Sequence, residues 1–259
     1  MIVSKLNLDM LNKREIVFNF LCIPIVESEK KGIRIDNGKI ETSQSYGSSF
    51  DHDMSDVAVE FYKIIYGIEF PKQEESIEFV GDTMCSFNTI ANRIPEAGKS
   101  KKQRTAYDNW PDYLQKYYNF YHCLANFWIL PTFIGRSYPA MPEEYRWASK
   151  TGFGDGKKIE DYMDRFLLFI SKKNNYEKLT KQYPHYGKEF KDYDSFIKNH
   201  YLVGENNFVS CGKITSFSDN KNSPEKIIYE MKNLIKARAK AISYDNEIML
   251  KIYDWYKSL

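Results

Sequence analysis

Residues 112–130 read DYLQKYYNFYHCLANFWIL, apolar or aromatic on nearly every side of a helical projection. An element that is hydrophobic all round must be enclosed by the rest of the molecule, so this stretch sets the centre of the fold. Asn109, Trp110, Pro111 and Asp112 form an opening signal: a capping residue, a first-turn proline and a first-turn carboxylate. The pattern therefore predicts a central buried aromatic helix over 112–130, about five turns long and closed at Pro131. Gln115, Asn119, His122 and Asn126 draw one polar line along it, and groups buried there need partners in each other, in backbone or in a ligand.

The flanking segments predict the packing around that centre. Residues 76–80 read as a short strand, Gly81-Asp82-Thr83 as a turn, and Met84, Phe87, Ala91 and Ile94 as the buried stripe of a following helix. The other faces of that helix carry Ser86, Asn88, Thr89, Asn92 and Arg93, a density of amides and hydroxyls that suggests a site. Val57, Phe61, Ile64, Ile65 and Ile68 predict a helix from Asp56, closed at Pro71. Further helices follow around Ile159 to Ile170, Phe190 to Tyr201, from Ser223-Pro224-Glu225 through Ile242, and Ile248 to Tyr256. The run 16–26 suits strand or buried helix equally, while the glycines and alternating isoleucines of 27–55 suggest loops with one or two short strands.

The expected fold is α+β and mainly helical, with a small antiparallel sheet, edged by 16–40 and 76–80, packed on the 112–130 helix. Residues 1–259 are expected to form a single domain, with 27–55, 95–109 and 131–158 as long loops. The length is ample for a core without disulfide or metal staples. Cys22, Cys85, Cys123 and Cys211 form no C-x-x-C pair, which fits neither a zinc ribbon nor a disulfide scaffold and points to a reducing, cytoplasmic setting. The apolar run 16–26 is too short to span a bilayer, so no membrane association is expected. A net charge of +2 from 37 basic and 35 acidic residues supplies no global attraction to nucleic acid, and any basic patch must be local.

Candidate chemistry concentrates in the central stretch. Asp82, between a strand and a helix, is either a rigidly held functional carboxylate or an ordinary helix cap. His122 is either a general base or a hydrogen-bonded core histidine. His52, in Asp51-His52-Asp53, lacks the spacing of a closed metal site, and His185 and His200 lie in aromatic, structural surroundings. No metal ligand set is expected, and no cofactor can be named. Arg136 suits a forked contact to an anion, or a structural clamp on loop carbonyls. Lys99, Lys101, Lys102 and Arg104, with Lys226, Lys232, Lys236, Arg238 and Lys240, are the local case for nucleic-acid contact, against a solvated face diluted by Glu225, Glu230 and Glu247. Gly98-Lys99-Ser100 lacks the first glycine of a phosphate-binding loop, and Gly152-Phe153-Gly154 lacks the third glycine of a dinucleotide fingerprint. The Arg-then-His spacing of RNA-cleaving helical toxins is absent as well.

The runs Gly81-Asp82-Thr83-Met84-Cys85-Ser86-Phe87 and Tyr121-His122-Cys123-Leu124-Ala125-Asn126-Phe127, then Pro131, Arg136 and Asp164-Arg165-Phe166, resemble the motifs of an uncharacterised bacterial single-domain family. The similarity covers about residues 56–210 and departs at Ala125, where the pattern expects glycine, and in the lysine-rich loop. It implies that Asp82, His122, Asn126, Arg136, Asp164 and Arg165 share one region, and it implies no reaction.

The functional expectation is an intracellular enzyme, a hydrolase or nuclease-like protein of defence or toxin type, acting on a phosphorylated or nucleic-acid-type substrate. Asp82 or His122 would move a proton, Asn88 and Asn126 would orient the substrate, and Arg136 with Lys99, Lys101 and Lys102 would bind negative charge. The competing expectation is a non-catalytic protein-interaction module in which the polar line only fixes packing.

Overall fold

Helix α1 (Ile2–Leu21) settles the first half of the ambiguous run as helix, with Val17, Phe20 and Leu21 buried. The computed structural model describes residues 2–45, 50–68, 79–131, 173–202 and 223–259. Arg136, Asp164, Arg165, Cys211, the helix expected around 159–170 and most of the loop 131–158 lie outside these residues.

Pro24 cannot continue a helix, and the chain turns there into β1 (Ile25–Glu27). Strands β2 (Arg34–Asp36) and β3 (Lys39–Thr42) form a hairpin across Asn37-Gly38, both at positive φ (47° and 70°), as a tight two-residue turn requires. β3 lies between the other two, antiparallel to β2 and parallel to β1, with Ile40 opposite both Ile35 and Ile25. The expected antiparallel pairing therefore holds for the hairpin and fails for β1. Helix α2 (Asp56–Tyr66) starts where Ser55 Oγ accepts from the Ala58 amide at 3.3 Å and stops at Gly67, φ 67°.

A second, separate sheet pairs β4 (Phe79–Thr83) with β5 (Phe127–Pro131), antiparallel from Phe79 opposite Pro131 to Thr83 opposite Phe127. Two expectations are corrected here. Gly81-Asp82-Thr83 is strand rather than turn, with helix α3 (Phe87–Ala91) beginning later. The predicted 112–130 helix is only α4 (Asp112–Tyr118), followed by a turn, a 3-10 turn (Leu124–Asn126) and β5. All five β5 residues are buried, and a short all-apolar run suits an enclosed strand as well as a buried helix. The fold class stands as α+β and mainly helical, with an aromatic cluster beside α4.

The remaining described helices are α5 (Lys173–Gln182), α6 (Pro184–Glu189), α7 (Tyr193–Asn199), α8 (Pro224–Tyr244) and α9 (Asn246–Ser258). α8 begins where Ser223 Oγ accepts from the Lys226 amide, the start signal its sequence carries. α1 packs on α8 and α9, with Phe20 edge-on to Trp255 at 5.2 Å. Among the described residues, no helix is long and apolar enough to cross a membrane.

One side chain joins these layers. Arg238, on α8, is fully buried and so leaves the surface basic cluster to which its sequence position assigned it. Its guanidinium donates to the carbonyls of His200 (2.7 Å), Ala125 (2.9 Å) and Phe127 (2.8 Å) and to the Tyr66 hydroxyl (3.2 Å). A rigid fork with five N–H groups suits a chain crossover lined by carbonyls. It fixes the 3-10 turn before β5, and with it the residues that precede that turn.

Candidate functional site

Gly81 is glycine because another backbone occupies its side-chain space. A Cβ there would lie 1.9 Å from the Asp53 carbonyl oxygen and 2.7 Å from the Tyr62 hydroxyl. The turn containing Asp53 (His52–Met54) is pinned on β4: the Gly81 amide points at Met54 Sδ at 2.9 Å, and the Tyr62 hydroxyl donates to the Asp53 carbonyl at 2.9 Å. This close approach brings the Asp53 carboxyl into the fields of Asp51 and Asp82. Burial first, then those two carboxylates and a hydrogen bond with Asp51, hold the Asp53 carboxyl well above the usual carboxylate range.

His122 sits on the turn after α4, not on a helix, and its carbonyl accepts from the Ile25 amide at 2.7 Å. Its ring stacks on His52 with centroids 3.8 Å apart and planes 24° from parallel. Tyr121 lies 3.8 Å from the His122 ring, and Phe50 meets His52 edge-on at 4.9 Å. Burial, reinforced by His52, pushes the His122 imidazole down to about 2. His52 is also lowered by burial, with Asp51 opposing. Both rings are thus neutral around pH 7. Burial and Asp53 raise the Tyr62 phenol, and burial, Tyr118 and Asp53 raise the Tyr121 phenol, so both keep their protons.

The turn 51–53 therefore links the two residues singled out as proton carriers: His52 stacks on His122, and Asp53 interacts with Asp82. Sequence reasoning passed over His52 and Asp53 because their spacing fits no metal site. The available signal was that His52 is the one histidine flanked on both sides by carboxylates. Among the described residues, no group of three or more His, Cys, Asp or Glu is arranged to hold a metal ion.

The other candidates fall elsewhere. Asn126 is fully buried: its Oδ1 accepts from the Cys85 amide at 2.9 Å, and its Nδ2 donates to the Tyr121 carbonyl at 2.7 Å and the Cys85 carbonyl at 3.2 Å. Both amide hydrogens are thus committed to backbone, and the residue clamps the exit of β4 to the entry of β5 instead of facing a substrate. Asn88 accepts from Arg104 Nη2 at 3.1 Å, and Asn92 does so at 2.7 Å. Arg104 also donates to the Ala97 and Gly98 carbonyls, both at 3.2 Å, so the segment 95–109 is three linked 3-10 turns rather than a loose loop. Lys99, Lys101 and Lys102 are exposed on it. His200 is structural as expected, buried among Tyr66, Phe190, Phe196 and Trp128, with Nδ1 2.9 Å from the Phe196 carbonyl.

No family model matches the chain, and no curated protein or solved structure matches it either.

Proposed function

We propose that the chain is a cytoplasmic hydrolase acting on a phosphorylated or nucleic-acid-type substrate, of the bacterial family whose motifs it resembles. One observation carries the reading: the His52–Met54 turn pressed on β4 holds the Asp53 carboxyl, whose proton affinity is raised by burial, Asp51 and Asp82, next to His52, whose ring stacks on His122. Adjacent groups whose proton affinities are pushed in opposite directions are the usual basis of acid and base roles in one site. Phosphoester hydrolysis needs a proton delivered to the leaving oxygen and a proton taken from the attacking water. Asp53 supplies the first; His122 or His52 takes the second once the phosphoryl anion beside the rings favours an imidazolium. Burial, Asp51 and then Asp82 raise the proton affinity of Asp53. Lys99, Lys101 and Lys102, and Arg136 beyond the described residues, meet the substrate's remaining charge. The cytoplasmic setting is supported by Cys22, Cys85 and Cys123, all free thiols.

The test is turnover of phosphomonoester, phosphodiester and oligonucleotide substrates by the wild type, Asp82→Asn and His122→Asn. Turnover of one class, lowered about 100-fold or more in both variants with melting points retained, supports the reading. Full activity in both variants, or none in the wild type on any class, contradicts it.

A second reading, a protein-interaction module, has one observation in its favour. Leu8 and Leu11, 68% and 52% exposed, and Tyr244, 54% exposed, line an open groove of about 800 Å³ between α1 and α8. Pull-down of a defined partner, lost in Leu8→Glu, would support this reading.

A further inference from the structure

The surface beside α4 combines aromatic rings and lysines in the way a single nucleic-acid strand requires. Tyr118 and Tyr107 are 44% and 37% exposed, yet their rings are fixed from beneath. Trp110, buried, lies 5.3 Å from each, and Phe87 lies 5.1 Å from Tyr118. Asn119 Nδ2 donates to the Tyr107 hydroxyl at 2.7 Å, and the Trp110 indole donates to the Thr105 carbonyl at 3.1 Å. Exposed rings already held in place lose little freedom when a base stacks on them.

The charge beside these rings is also fixed. Arg104 lies over the Phe87 ring at 5.6 Å and holds the turns that present Lys99, Lys101 and Lys102. None of these three lysines forms an ion pair with a described carboxylate. Two carboxylates occur in the segment 95–109, Glu96 and Asp108, and the nearby Asp112 on α4 is paired with Lys116 at 2.6 Å.

A continuous row of rings then leads inward. Phe87 stacks on Tyr121 at 5.4 Å and 28°, Tyr121 lies 3.8 Å from His122, and His122 stacks on His52. We propose that Tyr107 and Tyr118, with Lys99, Lys101 and Lys102, form a binding strip for single-stranded nucleic acid that leads to the Asp53–His122 site. The last clause rests on the hydrolase reading; the binding strip itself does not. Bases in a duplex are stacked on one another and cannot reach the tyrosines, whereas unpaired bases can, and the phosphates of the same strand are left for the lysines. Stacking on rings is indifferent to base identity, so the strip reads strandedness more than sequence.

The test is fluorescence anisotropy with phosphorothioate-linked strands of about ten nucleotides, one RNA and one DNA, and a duplex of equal length. The wild type is expected to bind at least one of the single strands about tenfold or more tightly than the duplex. Tyr107→Ala with Tyr118→Ala should weaken single-strand binding by about tenfold or more. Lys99→Gln, Lys101→Gln and Lys102→Gln together should flatten the dependence of log affinity on log salt by about 2. The lysine variant keeps the test decisive if the tyrosine variant misfolds. Equal affinity for duplex, an unchanged salt slope, or full binding without the two tyrosines would overturn the proposal. Strand binding without turnover of any substrate leaves the strip standing while the hydrolase reading falls; turnover of a small phosphodiester without strand binding does the reverse.

Discussion

Burial and two neighbouring carboxylates raise the proton affinity of Asp53 well above that of a free carboxyl, and this has a measurable consequence. Its folded proton affinity is raised, so in the unfolded chain it ionises first as pH rises from about 4. The folded state therefore loses stability through the window between that value and its own raised one, and recovers it on acidification. Asp53→Asn removes this dependence. The variant is expected to melt higher than the wild type at pH 7 and to show little advantage at pH 4, as thermal unfolding at the two pH values would reveal. Gly81→Ala should have the opposite effect. A methyl 1.9 Å from the Asp53 carbonyl forces the 51–54 turn off β4. The expected loss, about 2 kcal/mol or more in urea unfolding, belongs with large steric substitutions in cores.

At the scale of elements, the fixed point is the junction between the 3-10 turn and β5. Arg238→Met would fill much of the same volume while leaving the carbonyls of Ala125, Phe127 and His200 without their donor. The expected loss is about 3 kcal/mol or more, and Arg238→Lys should recover little of it, because an ammonium cannot reach all three. The sequence made α2 and α8 legible because each carries its own start signal, Ser55 and Ser223, and a clean apolar stripe. The β2–β3 hairpin was read only as loops with one or two short strands, although Asn37-Gly38 is the dipeptide that a tight two-residue turn favours. Residues 119–131 were not legible. Phe127 to Leu130 are buried on every side, and periodicity cannot separate an enclosed strand from an enclosed helix. Gly81 and Asp82 read as turn formers because their true reason, the backbone of 51–54 pressed on the strand, is a long-range contact. The site was half legible for the same cause. Asp82 and His122 were singled out, while His52 and Asp53, which connect them, become relevant only once the turn is placed on β4. Arg238 read as a surface cation by its charge, although it lies on the apolar stripe of α8, three residues after Ile235 and four before Ile242, which was the available signal.

For the whole molecule, the buried imidazoles set a pH dependence opposite to that of Asp53. His122 and His200 are pushed down to about 2 and about 3, chiefly by burial, while in the unfolded chain they would take a proton near their ordinary value of 6.5. Their contribution to stability is present above that value and is lost as pH falls toward the folded ones, at most about 1.4 kcal/mol per pH unit for each ring. In the Asp53→Asn background, where the opposing carboxyl is removed, the urea midpoint should therefore drop between pH 7 and pH 5. The drop should be shallower in His200→Gln, whatever that variant's stability at neutral pH.

The central claim, that Asp53 donates a proton in phosphoester hydrolysis while a stacked imidazole accepts one, is tested most directly by the pH dependence of kcat/KM on a phosphodiester for the wild type and Asp53→Asn. That parameter reports the free protein's groups, and the imidazole is already neutral throughout the accessible range. The account predicts a single limb, with activity falling as pH rises through the raised Asp53 value, and loss of that limb with most of the rate in Asp53→Asn. A bell-shaped profile centred near neutrality, or a variant that keeps the wild-type rate and profile, would contradict it.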